Sequence, residues 1–174
     1  MINLHLGQGS EIYFRDNSLR PTIDEYYRIS KEKTGGLFRL SVRLLLKCSD
    51  NKKLIDDRCE ELIVSLAEEF GKFYQVRDDY LNLFHGDASD LQEGKFTLPT
   101  LFAEIDSAKH ENLKERMEIV EKLREMEADQ FCMRTLSEMA VEMENLVFEI
   151  EQKTCKTNQM KEIIYFLINP HPQT

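Results

Sequence analysis

Residues 55–83 read IDDRCEELIVSLAEEFGKFYQVRDDYLNL, and their apolar members recur with one period. Ile55, Cys59, Leu62, Ile63, Leu66, Phe70 and Phe73 fall three or four residues apart, the spacing that lines one face of an α-helix. The pattern runs to about Leu83, which predicts a helix about 40 Å long at ~1.5 Å per residue. Its second half carries polar residues on a helix otherwise rich in aromatic and aliphatic side chains: Gln75, Asp78, Asp79 and Asn82 stand at i, i+3, i+4 and i+7 and share one stripe.

Outward from this helix the same period recurs. Thr22-Ile23-Asp24-Glu25 follows Pro21 and has the form of a capping box, which predicts a helix through Tyr26, Ile29 and Lys33. Gly35-Gly36 interrupts it at a cost of roughly 2 kcal/mol relative to two alanines, so a kink or a close approach to a ligand or another helix is expected there. Shorter helices are predicted over 113–126 and 133–151. The second buries a stripe of Leu136, Met139, Met143, Leu146, Val147 and Ile150. A last helix is expected over 156–167, ended by Asn169-Pro170. No alternating strand pattern of useful length occurs, and the architecture expected is an all-α bundle.

Composition sets the outer bounds. The 174 residues carry a net charge of −9, and 14 acidic against 7 basic residues fall between Leu101 and Lys153, which argues against a nucleic-acid-binding surface. The longest apolar run, Ile163 to Ile168, is far short of the ~20 residues a membrane helix needs. Cys48, Cys59, Cys132 and Cys155 are scattered without metal-ligand spacing, as expected of idle thiols in a reducing, cytoplasmic compartment. The four histidines are equally dispersed, so any chemistry must come from carboxylates, amides and lysines.

Four stretches could carry such chemistry: Gly7-Gln8-Gly9-Ser10-Glu11; Lys33-Thr34-Gly35-Gly36; Gln75 to Asn82; and Asp90-Leu91-Gln92-Glu93-Gly94-Lys95. The Gln75 stripe is rich in oxygen donors, as Mg²⁺ requires, and Mg²⁺ is usually completed by substrate phosphate oxygens rather than by a protein cage. Taken alone, Asp78 and Asp79 read as a solvated face beside Arg77. On a mostly buried helix, however, carboxylates need partners or a metal. Lys33 and Lys95 are point charges able to pair with phosphate. No stretch is specific alone; their order is.

Together NLHLGQGSEIYFRD, KTGGLFRLSVRLL, FYQVRDDYLNL and DLQEGKFTLPT resemble the trans-isoprenyl diphosphate synthases, closest to the eukaryotic geranylgeranyl type. DDYLN in place of DDYLD, and Gly35-Gly36 after Lys33-Thr34, favour that type. The resemblance is clear from Asn3 to about Leu101 and vague beyond. It implies a single partial domain over 1–174, with a motif-bearing core at 1–101 and C-terminal helices at 102–174, resembling the C-terminal half of the isoprenoid synthase bundle. It implies Mg²⁺-dependent condensation of farnesyl diphosphate with isopentenyl diphosphate. Asp78 and Asp79, with Asn82 in a weaker third position, are the implied metal ligands. Lys33, Thr34, Gln75, Lys95 and Gln8 are the implied diphosphate binders, and Asp78, Asp79 and Lys33 the catalytic group. The acidic member of the Gly7-Gln8 motif, normally Asp, is Glu11 here.

The chain departs from that pattern in carrying no DDxxD upstream of Gly7-Gln8, where product length is largely set, so half of the usual bundle is expected to be missing. The apolar face around Phe70, Phe73 and Tyr74 is expected to lack its usual neighbour, so the stripe Leu62, Leu66, Phe70 and Phe73 is expected to bury against another chain or against the C-terminal helices folded back in its place. The connection between Asn82 and Asp90 is short, with His85-Gly86 in place of a diphosphate-holding Lys-Gly. The implied assembly is a homo-oligomer or a complex with a full-length synthase subunit. The alternative function is that of a non-catalytic partner of a complete synthase.

Overall fold

The computed structural model describes residues 2–48, 55–106, 109–156 and 159–168. The described residues form eight helices and no strand. These are α1 (Ile2–Asp16), α2 (Ile23–Cys48), α3 (Asp57–His85), α4 (Ser89–Glu93), α5 (Leu98–Phe102), α6 (Leu113–Glu125), α7 (Ala128–Thr154) and α8 (Met160–Ile168). The expected bundle is present, and α3 runs within two residues of its predicted bounds. It begins at Asp56, whose side chain accepts from the Cys59 amide at 2.6 Å.

The capping box forms as expected. The Thr22 amide donates to Glu25 Oε2 (2.8 Å) and the Glu25 amide to Thr22 Oγ1 (3.1 Å). Gly35-Gly36 does not break α2, which continues to Cys48. The glycines serve the other purpose, close approach. A Cβ added at Gly71 of α3 would overlap the backbone of Gly35, so the two helices cross with backbone against backbone. Glu68 of α3 is gripped across this crossing by Lys31 (2.8 Å) and Arg39 of α2. Burial alone would raise its carboxyl, but these two cations outweigh burial and hold it below the ordinary range. A second close crossing lies at Gly7 of α1, where a Cβ would come 2.7 Å from the Lys33 amide nitrogen. The glycine of the Gly7-Gln8 pair thereby seats α1 on the peptide that carries Lys33.

The main core is formed where α3 meets α7. Leu62, Leu66, Phe70, Phe73 and Val76 interlock with Leu136, Met139, Met143, Val147 and Ile150, and Ile164 of α8 closes the end. Of the two covers expected for the stripe Leu62, Leu66, Phe70 and Phe73, the C-terminal helices supply one. Phe70 and Phe73 are buried in the core shared with α7, Phe70 also stacking on Phe38 of α2, while Tyr74 stays 42% exposed. A second cluster unites Leu83, Phe84, Leu91, Val120, Leu123 and Ala128 under α6. Helix α7 starts five residues earlier than predicted, directly after Glu127, which holds a left-handed φ of 59° and turns the chain out of α6. The predicted start of the last helix at Lys156 is not helical; within the described residues α8 begins at Met160, and the predicted stop at Asn169-Pro170 lies outside them.

Candidate functional site

A cavity of about 100 Å³ opens between the ends of α1, α2 and α3 and the segment joining α4 to α5. Phe14, Pro21, Ile29 and Phe96 supply its apolar wall. The polar remainder comes from the motif residues Glu11, Lys33, Gln75, Asp78, Asp79, Asp90 and Lys95 together with Arg15, Tyr26, Ser30 and Thr97. The fold thus brings Lys33, Gln75, Asp78, Asp79 and Lys95 to one place. Thr34 stands behind Gln75, donating to its Oε1 at 3.2 Å. Gln8 and Asn82 do not line the cavity: Gln8 Nε2 donates to Glu11 (3.0 Å), while Asn82 donates to Ser89 Oγ (2.8 Å) and accepts from the Asp90 amide (3.1 Å). Asn82 therefore holds the start of α4, where the sequence pattern made it a metal ligand. His85 bonds the Tyr80 hydroxyl at 3.2 Å and also lies off the cavity.

The two adjacent aspartates face different surroundings. Asp78 is exposed at the mouth. Asp79 is 2% exposed, and both its oxygens are taken by protein donors. Oδ2 accepts from the Tyr26 hydroxyl (2.6 Å) and the Leu98 amide (2.9 Å), and Oδ1 from Gln75 Nε2 (2.9 Å). Burial pushes its carboxyl up to about 7, against the pull of these hydrogen bonds, and the charge of Asp90 adds to the rise. Tyr26 is likewise raised well above the ordinary phenol by burial and by Asp79, so it remains a neutral donor. Because Gln75 gives its NH₂ to Asp79, its carbonyl oxygen is turned to Thr34. Asp79 thus joins α2, α3 and the first turn of α5 and sets the polarity of the Gln75 amide. Asp79, implied as a metal ligand by the resemblance, has both oxygens engaged by protein donors here.

The lysines are each paired. Lys33 Nζ donates to both carboxylate oxygens of Glu11 (2.9 and 2.8 Å). Lys95 bridges Asp90 (3.0 Å) and Glu93 (2.8 Å), and these bonds overcome partial burial to raise its ammonium, so it stays a cation. Burial raises the Asp90 carboxyl, with Lys95 opposing.

Among the described residues no three acidic, histidine or cysteine side chains gather as a metal cage. The donor set fits Mg²⁺ in another way: one exposed carboxylate, Asp78, faces two ammonium groups across a cavity, and Mg²⁺ commonly takes one or two carboxylates and completes its shell with phosphate oxygens and water. Sequence reasoning passed over Tyr26, Ser30 and Arg15. For the first two the signal was available, since Tyr26, Ile29 and Ser30 share the α2 face of Lys33 at i−7, i−4 and i−3.

The polyprenyl synthetase family model matches residues 1–158. A geranylgeranyl pyrophosphate synthase of Dictyostelium discoideum is 36% identical over 176 residues, spanning 97% of this chain and 52% of its own length. Geranylgeranyl pyrophosphate synthase olcC of Penicillium canescens is 30% identical over 185 residues, spanning 96% and 53%. The chain therefore spans about half the length of these curated relatives. The crystal structure of heptaprenyl diphosphate synthase from Staphylococcus aureus superposes with a TM-score of 0.77 at 19% identity, over 97% of this chain and 56% of that one, a likeness of fold. No helix among the described residues is long and apolar enough to cross a membrane. With its motif residues gathered on one cavity of an all-helical bundle, the chain belongs to the polyprenyl synthetase family.

Proposed function

We propose that the cavity holds the diphosphate of an isoprenoid substrate in a geranylgeranyl diphosphate synthase-like condensation of farnesyl diphosphate with isopentenyl diphosphate. The observation that carries the reading is the convergence of Lys33, Lys95, Gln75 and Asp78 on one cavity in a member of this family. In the reaction the allylic C–O bond breaks, the isopentenyl double bond attacks the resulting cation, and a proton is lost from the new chain. Lys33 and Lys95 hold the diphosphate as point charges. Asp79 and Thr34 orient the Gln75 amide, and Phe14, Ile29 and Phe96 exclude water. Asp78 would hold Mg²⁺, which when bound supplies charge neutralisation of the departing diphosphate. Glu11 and Asp90 hold the two ammonium groups in place.

Asp78 is the one cavity aspartate turned to the mouth, so the 174 residues alone neutralise the diphosphate from one side. The isolated chain is expected to bind Mg²⁺ and inorganic pyrophosphate together, to lose that binding in Lys33→Ala and Asp78→Ala, and to show little condensation. Isothermal titration checks the first point and radiolabelled isopentenyl diphosphate incorporation the second. Wild-type binding that ignores Mg²⁺ and both substitutions would sink the reading.

One observation favours the second reading, a subunit that pairs with a further copy or with a complete synthase subunit. Leu6 and Tyr13 on α1, and Leu37, Leu44 and Leu45 on α2, are 55–70% exposed, and each set repeats at about seven residues, so each helix bares an apolar stripe.

A further inference from the structure

The roles implied by motif spacing and family resemblance leave out the cavity's third cation, although it stands within the Asn3–Asp16 stretch that carries the resemblance. Arg15 stands in the last turn of α1 and lines the same cavity as Lys33, Lys95 and Asp78. The three cations are not equivalent. Lys33 is engaged twice by Glu11, and Lys95 is divided between Asp90 and Glu93. Arg15 gives its Nε to Asp16 Oδ1 at 2.9 Å, and Asp16 does not line the cavity. That bond uses one of five guanidinium donors and holds the plane of the fork, leaving the terminal NH groups for another acceptor. The side chain is 30% exposed, near enough to the solvent to meet an entering ligand. Bonds from Lys95 chiefly hold the nearby Glu93 carboxyl low, and the charges of Arg15 and Lys33 add to the effect.

We propose that Arg15 makes a forked, two-bond contact to a phosphoryl group of the diphosphate seated between Lys33 and Lys95, with Asp16 as the positioning residue that orients the fork. The proposal rests on the diphosphate reading of the cavity. Its physical content is a division of labour. The lysines attract the anion without fixing its direction, whereas a planar guanidinium matches two phosphoryl oxygens and fixes the orientation.

The test is calorimetric titration of the full 174-residue chain with inorganic pyrophosphate at saturating Mg²⁺, run beside thermal melts. Arg15→Ala should weaken binding by about tenfold or more with an unchanged melting midpoint, since an exposed ion pair with Asp16 contributes little to stability. Arg15→Lys should recover only part of the loss, because it restores charge without the fork. Wild-type affinity in Arg15→Ala beside lost binding in Lys33→Ala would overturn the contact and leave the cavity reading standing. Full recovery in Arg15→Lys would overturn the forked geometry. A lowered melting midpoint that parallels the affinity loss in both Arg15 variants would assign Arg15 a structural role and overturn the contact. Absence of any pyrophosphate binding by the wild-type chain would overturn both readings.

Discussion

Asp78 and Asp79 are neighbours in sequence and opposites in chemistry. Asp79 is raised to about 7 from an ordinary value of 3.8, so the folded state binds its proton more tightly than the unfolded state does. The stabilisation from that proton is complete below about pH 4 and is lost as the pH rises through 7. A shift of about three units corresponds to an upper bound on the order of 4 kcal/mol. In urea denaturation without divalent ions, wild-type stability relative to Asp79→Asn should fall by a few kcal/mol between pH 4 and pH 8. Parallel pH profiles for the two proteins would refute the assignment. The stripe Gln75–Asp78–Asp79–Asn82 was legible in the sequence because a helix places i, i+3, i+4 and i+7 together. Which of two adjacent acids turns inward was not legible. It depends on the rotation of α3 about its axis, set by its contacts with Tyr26 and with Leu98 of α5, both distant in sequence. Arg15 escaped notice for a related reason: a lone arginine at a helix end has no pattern until the cavity it lines exists.

Helices α2 and α3 are spaced by their glycines, which predicts a graded series. Gly71→Ala would set a methyl group against the backbone of Gly35, where no side chain can move aside, and should cost about 3 kcal/mol or more. Gly35→Ala faces the Glu68 carbonyl oxygen at 3.2 Å, so a slight shift should admit it at smaller cost. Gly9→Ala meets nothing within 4 Å and should be neutral or stabilising by up to about 1 kcal/mol. Urea midpoints for the three variants check the order, and equal midpoints would remove the tight crossing from the account. The length of α3 was read from its period because apolar residues mark every turn of it. The start of α7 was not, because Glu127 adopts its left-handed turn without glycine, proline or a capping side chain to announce it. The pair Gly35-Gly36 was recognised as unusual, but a kink and a close crossing share the same local signature, and only the presence of Gly71 opposite distinguishes them.

At the scale of the molecule, the α3–α7 core is internally satisfied, and apolar side chains stay exposed on α1 and α2, as do Val141 and Phe148 of α7 and Tyr165 and Phe166 of α8. A contiguous apolar patch larger than roughly 600 Å² is uncommon on a soluble monomer. The purified chain should therefore run above its 20.5 kDa in light scattering, and Leu37→Lys with Leu45→Lys should shift it toward the monomer without lowering its helical circular dichroism. A wild-type monomer at micromolar concentration that binds no hydrophobic-surface dye would count against the stripes as an interface. That the chain is a helical bundle was readable from period alone. The cover of Phe70 and Phe73 was readable only as a choice between another chain and the C-terminal helices, because hydrophobic pattern states that a face is buried and not which partner buries it.

The same α3–α7 pairing has a consequence for how the chain is made. Phe73 and Met143 share one core, yet the ribosome adds Met143 roughly 70 residues after Phe73. At ~5–20 residues per second that is a wait of about 4 to 14 s between the emergence of the two residues, since the exit tunnel delays both equally. During that interval the part of this 29-residue helix that α7 covers stands without that cover. The nascent polypeptide thus presents to chaperones a surface that the finished molecule never shows, and slowing translation between α3 and α7 lengthens that exposure in direct proportion.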